Sequence, residues 1–369
     1  MKKVIAIVLV LCMVLGVCAC GKKKAGKDAT KVAMITDYGD ITDQSFNQTT
    51  YEACKAFCEK NSLDFTYKKP TSDSDADRVS AIENAIDEGY NVIVMPGYAF
   101  GPAIVETAPA NEDVTFIALD VGEGDIGDLA SNMPKNLYCA VYQEELCGYM
   151  AGYAAVKLGY KKLGFLGGMA VPAVVRYGYG FVQGCDAAAA ELGLTDVSVN
   201  YAYGNQFFGD PDITAAMETW YSDDTEVVFA CGGGIFTSAG EAAAKYGKKV
   251  IGVDVDQAGI IDGLYGQGIT VTSAMKGLAA TVDALLSKVV AGTFEGAKID
   301  NLGLVSAVPA ENYVQIAGST QFGDGFTQAD YETLVKAMFN GEVKVSNDIT
   351  ITAAQNATVI TVDDQGNIK

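Results

Sequence analysis

The sequence of 369 residues contains no histidine. A serine hydrolase with a Ser-His-Asp triad and a protease with a Cys-His pair both need an imidazole as the general base. The common zinc sites also use histidine nitrogen as a ligand. The absence of histidine therefore excludes the triad hydrolases, the Cys-His proteases and the usual His-ligated zinc sites.

Closely spaced cysteine pairs of the metal-binding kind are also missing beyond the N-terminal region. Cys54 and Cys58 lie four residues apart on one predicted helix face, where helix geometry does not favour a disulfide. We interpret six cysteines as buried small apolar residues: Cys54, Cys58, Cys139, Cys147, Cys185 and Cys231. We predict neither a metal site nor a cofactor.

Basic residues are scarce. The chain has 26 Lys and Arg against 46 Asp and Glu, which gives a formal net charge of −20 at pH 7. Nucleic-acid binding depends on neutralising phosphates with basic side chains, so this composition argues against a nucleic-acid partner. An acidic surface suits an exposed domain that must not adhere to an anionic cell surface.

The N-terminus carries an apolar run from Val4 to Val17 behind two basic residues, Lys2 and Lys3. This run is too short to cross the ~30 Å hydrocarbon core of a bilayer. A basic start followed by a short apolar run is typical of an export signal. The pattern therefore predicts a signal peptide over residues 1–19.

The small residue Ala19 directly before Cys20 resembles the bacterial lipobox, in which the cysteine thiol receives diacylglycerol and becomes the new N-terminus. Ordinary secretory cleavage nearby is the alternative. Residues 20–30 are small, polar and lysine-rich, which predicts a flexible tether. We predict a protein anchored by lipid at Cys20 to the extracytoplasmic face of the cell membrane.

From Lys31 onward, short β-branched runs alternate with amphipathic stretches. We predict strands at Lys31–Thr36, Asp64–Lys68, Val92–Met95, Val114–Leu119, Lys162–Leu166, Val197–Ala202, Val227–Cys231, Val250–Val253 and Val271–Ser273. We predict helices at Ser45–Asn61, Ala76–Glu88, Ala99–Ala108, Gln143–Lys157, Val174–Glu191, Asp212–Tyr221, Ser238–Tyr246 and Leu278–Ala291, followed by a strand-rich tail. This alternation predicts an α/β fold with doubly wound parallel sheets, and the length predicts two lobes.

A polar segment, residues 37–48, follows the first predicted strand. Ligands of open α/β sheets bind at the carboxyl ends of the strands. Phe46 and Asn47 stand at the mouth of a helix whose free N–H groups favour an acceptor-rich ligand. A purely structural alternative is that Ser45 caps this helix and Asp43 pairs with its dipole.

The same segment resembles the D-x-G-x-x-x-D-x-S-F-N-Q signature of the basic membrane lipoprotein family, whose best-understood members look like purine nucleoside receptors. The resemblance extends over nearly the whole chain beyond the leader. It is carried by five further segments in this order: Arg176–Gly184, Phe208–Asp210, Gly232–Gly234, Gly252–Gln257 and Thr272–Lys276.

The resemblance implies a type I periplasmic-binding-protein fold, in which two Rossmann-like lobes close on a ligand and the chain crosses the hinge several times. We assign residues 31–142 and 254–297 to the N-terminal lobe. Residues 143–253 and 298–369 are assigned to the C-terminal lobe. The implied function is capture of a small molecule by a monomer that delivers it to an ABC permease with its ATPase.

In the nucleoside-binding members of the family, the base lies between two aromatic rings, one from each lobe. The matching positions are Phe46 and Phe208, and the neighbouring Phe207 is an alternative for the second ring. Stacking on two flat faces suits a purine, because each face is apolar while the edge needs hydrogen bonds.

Polar residues at the predicted strand ends complete the expected site. Asn47 offers a donor and an acceptor to a base edge, and Asp37 accepts from a ring N–H or an exocyclic amine. The resemblance implies that ribose hydroxyls are held by Asp120, Asp254 and Lys276. Gly232, from the glycine run, is the remaining predicted contact.

Two departures from the family pattern leave the ligand open. Residues 120–125 are more acidic than the pattern, and Phe207 replaces a small residue. A simple sugar or another small polar metabolite is an alternative ligand, and nutrient sensing is an alternative role. A nucleoside hydrolase would use a clustered aspartate motif for calcium, which the residues after the first strand do not form. We predict binding without catalysis.

Overall fold

A computed structural model describes residues 30–368 of the chain. The predicted signal peptide, Cys20 and residues 20–29 of the predicted tether lie outside these residues. Within residues 30–368, no helix combines the length and the apolar character needed to cross a bilayer.

The described residues form thirteen strands and eleven α-helices, all short enough for an ordinary α/β domain. The strands are β1 (Lys31–Ile35), β2 (Asp64–Lys68), β3 (Val92–Pro96), β4 (Thr115–Leu119), β5 (Leu137–Tyr142), β6 (Lys162–Gly167), β7 (Ser198–Tyr203), β8 (Val227–Cys231), β9 (Lys249–Asp254), β10 (Thr270–Lys276), β11 (Lys298–Leu302), β12 (Val314–Ile316) and β13 (Thr361–Asn367). The helices are α1 (Phe46–Asn61), α2 (Asp75–Asp87), α3 (Gly101–Ala110), α4 (Glu123–Ile126), α5 (Glu144–Lys157), α6 (Pro172–Leu192), α7 (Pro211–Ser222), α8 (Phe236–Tyr246), α9 (Ala258–Tyr265), α10 (Leu278–Val290) and α11 (Gln328–Phe339).

Two sheets organise these elements into two lobes. The first sheet has the strand order β11-β5-β4-β3-β1-β2 and is parallel throughout. The second has the order β12-β10-β9-β8-β6-β7-β13, and only β12 runs antiparallel to its neighbour. The predicted fold class, two doubly wound α/β lobes, is confirmed.

The alternation of side chains along the first sheet divides its core between two helical layers. Val32 and Met34 of β1 face the layer that contains α1 and α10, while Ala33 and Ile35 face α2 and α3. Successive residues of a strand point to opposite faces, so apolar residues at every position of β1 from Val32 to Ile35 bury both faces. The second sheet is covered in the same way, by α5 and α6 on one face and by α7 and α8 on the other.

The lobe boundaries differ from the predicted ones in the stretch after residue 254. We assigned residues 254–297 to the N-terminal lobe, but β10 pairs with β9 in the second sheet. We assigned residues 298–369 to the C-terminal lobe, but β11 pairs with β5 in the first sheet. The chain therefore crosses between the lobes after β5, after β10 and between β11 and β12. Strand pairing decides these assignments: β11 forms an edge of the first sheet, and β10 lies inside the second sheet between β9 and β12, and local sequence marks neither choice.

Helices α5 and α6 of the second lobe approach each other closely because both have glycine at the contact. A Cβ atom added at Gly148 would lie 2.2 Å from the carbonyl oxygen of Tyr177, and one added at Gly180 would lie 2.1 Å from the carbonyl oxygen of Glu145. Only glycine allows backbones to meet at these distances. The contact holds the N-terminal halves of the two helices together beside the cleft.

The C-terminal segment is fastened to the second lobe by one carboxylate. Asp186 Oδ1 on α6 accepts hydrogen bonds from the backbone N–H groups of Thr358, Val359 and Ile360 at 2.9, 2.7 and 3.0 Å. Burial alone would raise the pKa of Asp186, but these bonds outweigh it and lower the pKa. The bonds hold the chain in place as it enters β13, which covers the open edge of β7.

All six cysteines beyond the N-terminal region are buried, as predicted, and none of the six is in a disulfide. Burial raises the pKa of the thiol of Cys54, Cys147, Cys185 and Cys231 well above its usual value. The thiols therefore remain protonated and pack as small apolar groups.

Replacing Asp186 with Ala is expected to lower the free energy of unfolding by about 1–3 kcal/mol, because three backbone N–H groups, of which that of Ile360 is buried, lose their acceptor. The folded pKa is depressed, so this stabilisation is present above the unfolded pKa of about 3.9 and is lost as pH falls below it. Urea unfolding at pH 7 and at about pH 3.5 measures both effects. The exposed Asp324→Asn is the control, and an equal loss of stability at both pH values would contradict the account.

Candidate functional site

A cavity of about 900 Å³ lies between the lobes, at the carboxyl ends of the strands. This is the position at which open α/β sheets bind ligands, because strand-end loops from both lobes converge there. The cavity is lined by all eight residues that the sequence predicted for ligand binding: Asp37, Phe46, Asn47, Asp120, Phe208, Gly232, Asp254 and Lys276.

Two aspartates occupy equivalent positions in the two lobes. Asp120 follows β4 of the first lobe, and Asp254 ends β9 of the second. Both adopt a left-handed backbone conformation, with φ of +57° and +64°. Few residues other than glycine do so, although aspartate is enriched among those that do, and such conformations cluster at functional sites. Each left-handed turn redirects the chain at the strand end and leaves the carboxylate at the cavity.

Lys276, the last residue of β10, places its ammonium group among three carboxylates. Its Nζ atom lies 2.5 Å from Asp120 Oδ2, 3.6 Å from Asp254 Oδ1 and 3.6 Å from Glu144 Oε1. The lysine is only 5 % exposed. An unpaired ammonium so deeply buried would cost several kcal/mol, so the carboxylates are needed to keep it charged. We call Lys276, Asp120, Asp254 and Glu144 the cleft cluster.

The cluster alters the ionisation of its members. Burial alone would lower the pKa of Lys276, but the carboxylates of Asp120, Asp254 and Glu144 together raise it, and the lysine stays protonated. Burial raises the pKa of Asp120 to about 6, helped by the negative charges of Glu144 and Asp254 and opposed by Lys276. Asp120 is therefore ionised at neutral pH and takes up a proton under mildly acidic conditions.

Glu144, the first residue of α5, was not among the predicted site residues. It is completely buried, and its Oε2 accepts a hydrogen bond of 2.6 Å from Nε of Arg176 on α6. Arg176 also lines the cavity. Arg176 lies in one of the segments that resemble the family. For Glu144, the only indication in the sequence is that it is an acidic residue at the start of a predicted helix.

Asp254 also connects the lobes through a residue that we had considered as a helix cap. Ser45 Oγ, in the first lobe, donates a hydrogen bond of 2.6 Å to Asp254 Oδ2, and Tyr177 donates one of 3.2 Å to Oδ1. The N-terminus of α1 is capped instead by Asp43, whose carboxylate accepts from the backbone N–H groups of Ser45, Asn47 and Gln48. Ser45 is thus free to bridge the lobes.

Asp37 and Asn47 present further acceptor atoms to the cavity. Asp37 Oδ1 accepts from the backbone N–H groups of Tyr38 and Gly39, at 2.6 and 2.7 Å. The Nδ2 atom of Asn47 donates to Asp43, while its buried Oδ1 has no hydrogen-bond partner within the described residues. Asp120 Oδ1 is likewise buried without a partner there. Buried acceptors of this kind are rare in proteins and suit donors of a ligand.

Aromatic rings line the cavity from both lobes. Phe46 is half-buried, and the ammonium of Lys276 lies 4.8 Å from its ring centroid, close enough for a cation–π interaction. Phe208 is 61 % exposed, so its ring is open to the cavity. The alternative, Phe207, packs against the core, and its centroid lies 6.4 Å from that of Tyr38 across the cleft. Both phenylalanines line the cavity, but only Phe208 leaves most of its surface uncovered.

The arrangement combines two chemistries in one cavity. Carboxylates that accept from hydroxyl or N–H groups lie beside an ammonium that donates, and flat apolar surfaces lie next to them. Such a site suits a neutral molecule that has a planar apolar part and several hydroxyl groups. The three negative charges of the cluster carboxylates exceed the two positive charges of Lys276 and Arg176, which disfavours an anionic group beside them.

Relatives with curated names resemble most of this chain. It is 28 % identical to basic membrane protein A of Borreliella burgdorferi over 315 residues, which cover 84 % of this chain and 86 % of the relative. It is also 28 % identical to the ABC transporter nucleoside-binding protein BmpA of Lactococcus lactis subsp. cremoris over 252 residues, which cover 65 % of this chain and 68 % of that protein.

Solved structures show the same fold. An ABC transporter solute-binding protein from Conexibacter woesei superposes with a TM-score of 0.67 at 23 % identity, over 86 % of this chain and 99 % of that one. Its fold is a type I periplasmic-binding-protein fold. A family model described as "ABC transporter substrate-binding protein PnrA-like" matches residues 30–318. Since this match spans most of the chain, the protein belongs to the PnrA-like family of ABC transporter substrate-binding proteins.

Proposed function

We propose that this substrate-binding protein captures a purine nucleoside between its lobes and delivers it to an ABC permease. The observation that carries the proposal is the joint presence, in one cavity, of an aromatic ring from each lobe and of the cleft cluster. A free base would not use the cluster, and a simple sugar would not need two aromatic faces. The name of the Lactococcus relative, a nucleoside-binding protein, agrees with this ligand class.

In this proposal the base lies between Phe46 and Phe208. The two rings come from opposite lobes, so the base is enclosed only when the lobes approach each other. Stacking on an aromatic side chain contributes on the order of 1–3 kcal/mol per base. The ammonium near Phe46 interacts with the same ring and stays near the junction of base and sugar.

The base edge is assigned to Asp37 and Asn47. Asp37 Oδ1 already accepts two backbone N–H groups, which leaves Oδ2 for a ligand. The unpartnered Oδ1 of Asn47 offers a second acceptor close by on α1. Two acceptors suit a base edge that carries N–H donors, and leaving them without partners would be costly.

The ribose is assigned to the cleft cluster. Vicinal hydroxyls both donate and accept, so their hydrogens suit the carboxylates of Asp120 and Asp254 while their oxygens accept from Lys276. Because Asp120 belongs to the first lobe and the other two belong to the second, a bound ribose would hold the lobes together. Gly232 follows β8 beside the cluster and offers backbone without a side chain.

We further propose that the protein is exported and anchored by lipid at Cys20, with residues 21–30 as a tether to the folded lobes. The first strand of the described residues, β1, starts at Lys31, directly after the proposed tether. Anchoring would keep the protein beside its permease. The proposed role is binding and delivery without any chemical change to the nucleoside.

The segment from Lys31 to the C-terminus should bind guanosine, inosine or adenosine in a one-to-one complex, and more tightly than ribose or free guanine. Isothermal titration calorimetry measures this, and chromatography of incubated inosine checks that no hypoxanthine is released. Binding of sugars with no response to nucleosides would overturn the ligand assignment, and release of hypoxanthine would overturn binding without catalysis.

Two substitutions should separate stacking from ribose binding. Phe46→Ala removes one face for the base, so affinities for guanosine and for guanine should fall by similar factors, roughly tenfold to a hundredfold. Asp254→Ala removes an acceptor for ribose hydroxyls, so it should weaken guanosine far more than guanine. Calorimetry on all four combinations tests both roles. If Asp254→Ala lowered the affinities for guanosine and for guanine by the same factor, Asp254 would not contact the ribose.

Cys20→Ser should abolish lipid attachment, because only the thiol can form the thioether to diacylglycerol. Stable anchoring needs more than one acyl chain or a second signal, and the mutant protein would carry no acyl chain. It should therefore be released or retained as precursor. Membrane fractionation and fatty-acid labelling of the full chain measure the change, with Cys18→Ser as the matched control. Unchanged labelling of Cys20→Ser would locate the anchor elsewhere.

A further inference from the structure

The first connection between the lobes places a carboxylate directly behind the proposed ribose site. Glu144 follows Gln143, the residue at which the chain leaves β5 and enters α5. Lys276 lies at the second connection, because Gly277 begins the return to the first lobe. Glu144 and Lys276 therefore come from two neighbouring hinge segments, 132 positions apart in the sequence.

Glu144 contacts two cations at once. Its Oε2 accepts from Arg176 Nε at 2.6 Å, and its Oε1 lies 3.6 Å from Lys276 Nζ. The second distance is beyond a hydrogen bond, and Oε1 has no other partner among the described residues. A fully buried carboxylate is tolerated only when cations compensate it. Without Glu144, only the remaining carboxylates of the cluster, Asp120 and Asp254, would compensate the charges of Lys276 and Arg176.

We infer that Glu144 is a positioning residue for the ligand site, which keeps the Lys276 ammonium away from Asp254 and ties it to Arg176 while Lys276 stays paired with Asp120. The inference rests on the proposed function in one respect, namely that Lys276 serves a bound ligand. Without Glu144, Lys276 would move from its distance of 3.6 Å into closer pairing with Asp254. Asp254 would then be less available to accept hydrogen bonds from a hydroxylated ligand.

The charge of Glu144 also acts on Asp120. It raises the pKa of Asp120, as does Asp254, while Lys276 opposes them. The other ionisable groups around the cluster are Arg176, Tyr142, Tyr177, Cys147 and Cys231. Burial raises the pKa of those tyrosines and thiols, so they remain neutral, and Arg176 remains charged. The pH at which Asp120 takes up a proton, about 6, therefore depends on the charge of Glu144, and measuring it tests the effect of that charge.

Hydroxyl donors favour the ionised form of Asp120, so nucleoside affinity should be full above about pH 6 and should fall as pH drops below it. Glu144→Gln keeps the shape and an acceptor for Arg176 but removes the charge. It should lower the pKa of Asp120, which moves the acidic fall in affinity to lower pH. At neutral pH it should weaken guanosine roughly threefold to thirtyfold, because Lys276 then competes for Asp254.

The experiment has two readouts. One is the pH profile of guanosine binding by calorimetry, and the other is the titration of the Asp120 carboxyl carbon by NMR without ligand, assigned with Asp120→Asn. Glu144→Asp retains the charge, so its Asp120 midpoint should stay near that of the wild type. Glu191→Gln is the control. Glu191 also carries a negative charge, but it lies at the far end of α6, does not line the cavity and pairs with Lys157, so both readouts should stay unchanged.

If Glu144→Gln does not fold, Arg176→Gln tests the same link with the opposite sign, because loss of this cation should raise the pKa of Asp120. An unchanged Asp120 midpoint in the folded variant would overturn the inference, and so would unchanged guanosine affinity at neutral pH. If the wild type binds no nucleoside, the proposed function fails while the ligand-free NMR titration still decides the role of Glu144. The two failures are therefore distinguishable.

Discussion

The buried ammonium of Lys276 is the constraint on which the cleft depends. At this depth it is tolerated only because carboxylates from three places compensate it: the end of a strand in each lobe and the first connection between them. The strand ends must therefore meet at one point, and Asp120 and Asp254 do so through left-handed turns that most residues would not adopt. Folding and the geometry of the site are set by the same contacts.

Because the members of the cleft cluster belong to different lobes, the separation of the lobes and the electrostatics of the cavity are linked. Moving the lobes apart would separate Asp120 from Lys276 and break the Ser45–Asp254 hydrogen bond. Each of these changes also exposes a charged group to water, and the hydration of that group offsets part of the lost interaction energy. A ligand that bonds to groups of both lobes stabilises the closed arrangement, since it binds that arrangement better than an open one.

Much of the local structure could be predicted from the sequence, but the pairing of distant segments could not. The strand Val227–Cys231 has the predicted bounds because a short β-branched run between turn residues has few alternatives. The lobe assignment of β10 and β11 was wrong, since both lobes have the same alternating pattern and no local feature specifies a sheet. Strand-end residues such as Asp120 were predictable in position, whereas Glu144 was not, because its partners come from other elements.

The charge balance of the cavity limits the ligand more narrowly than its volume does. A volume of about 900 Å³ would admit molecules larger than a nucleoside, including phosphorylated ones. A phosphate near the cluster, however, would face three carboxylates and two cations, Lys276 and Arg176, which those carboxylates already pair. Hydroxyl groups would instead gain acceptors from the same carboxylates. On the proposed assignment, the acids that would accept hydrogen bonds from a ribose would therefore also disfavour its phosphate ester.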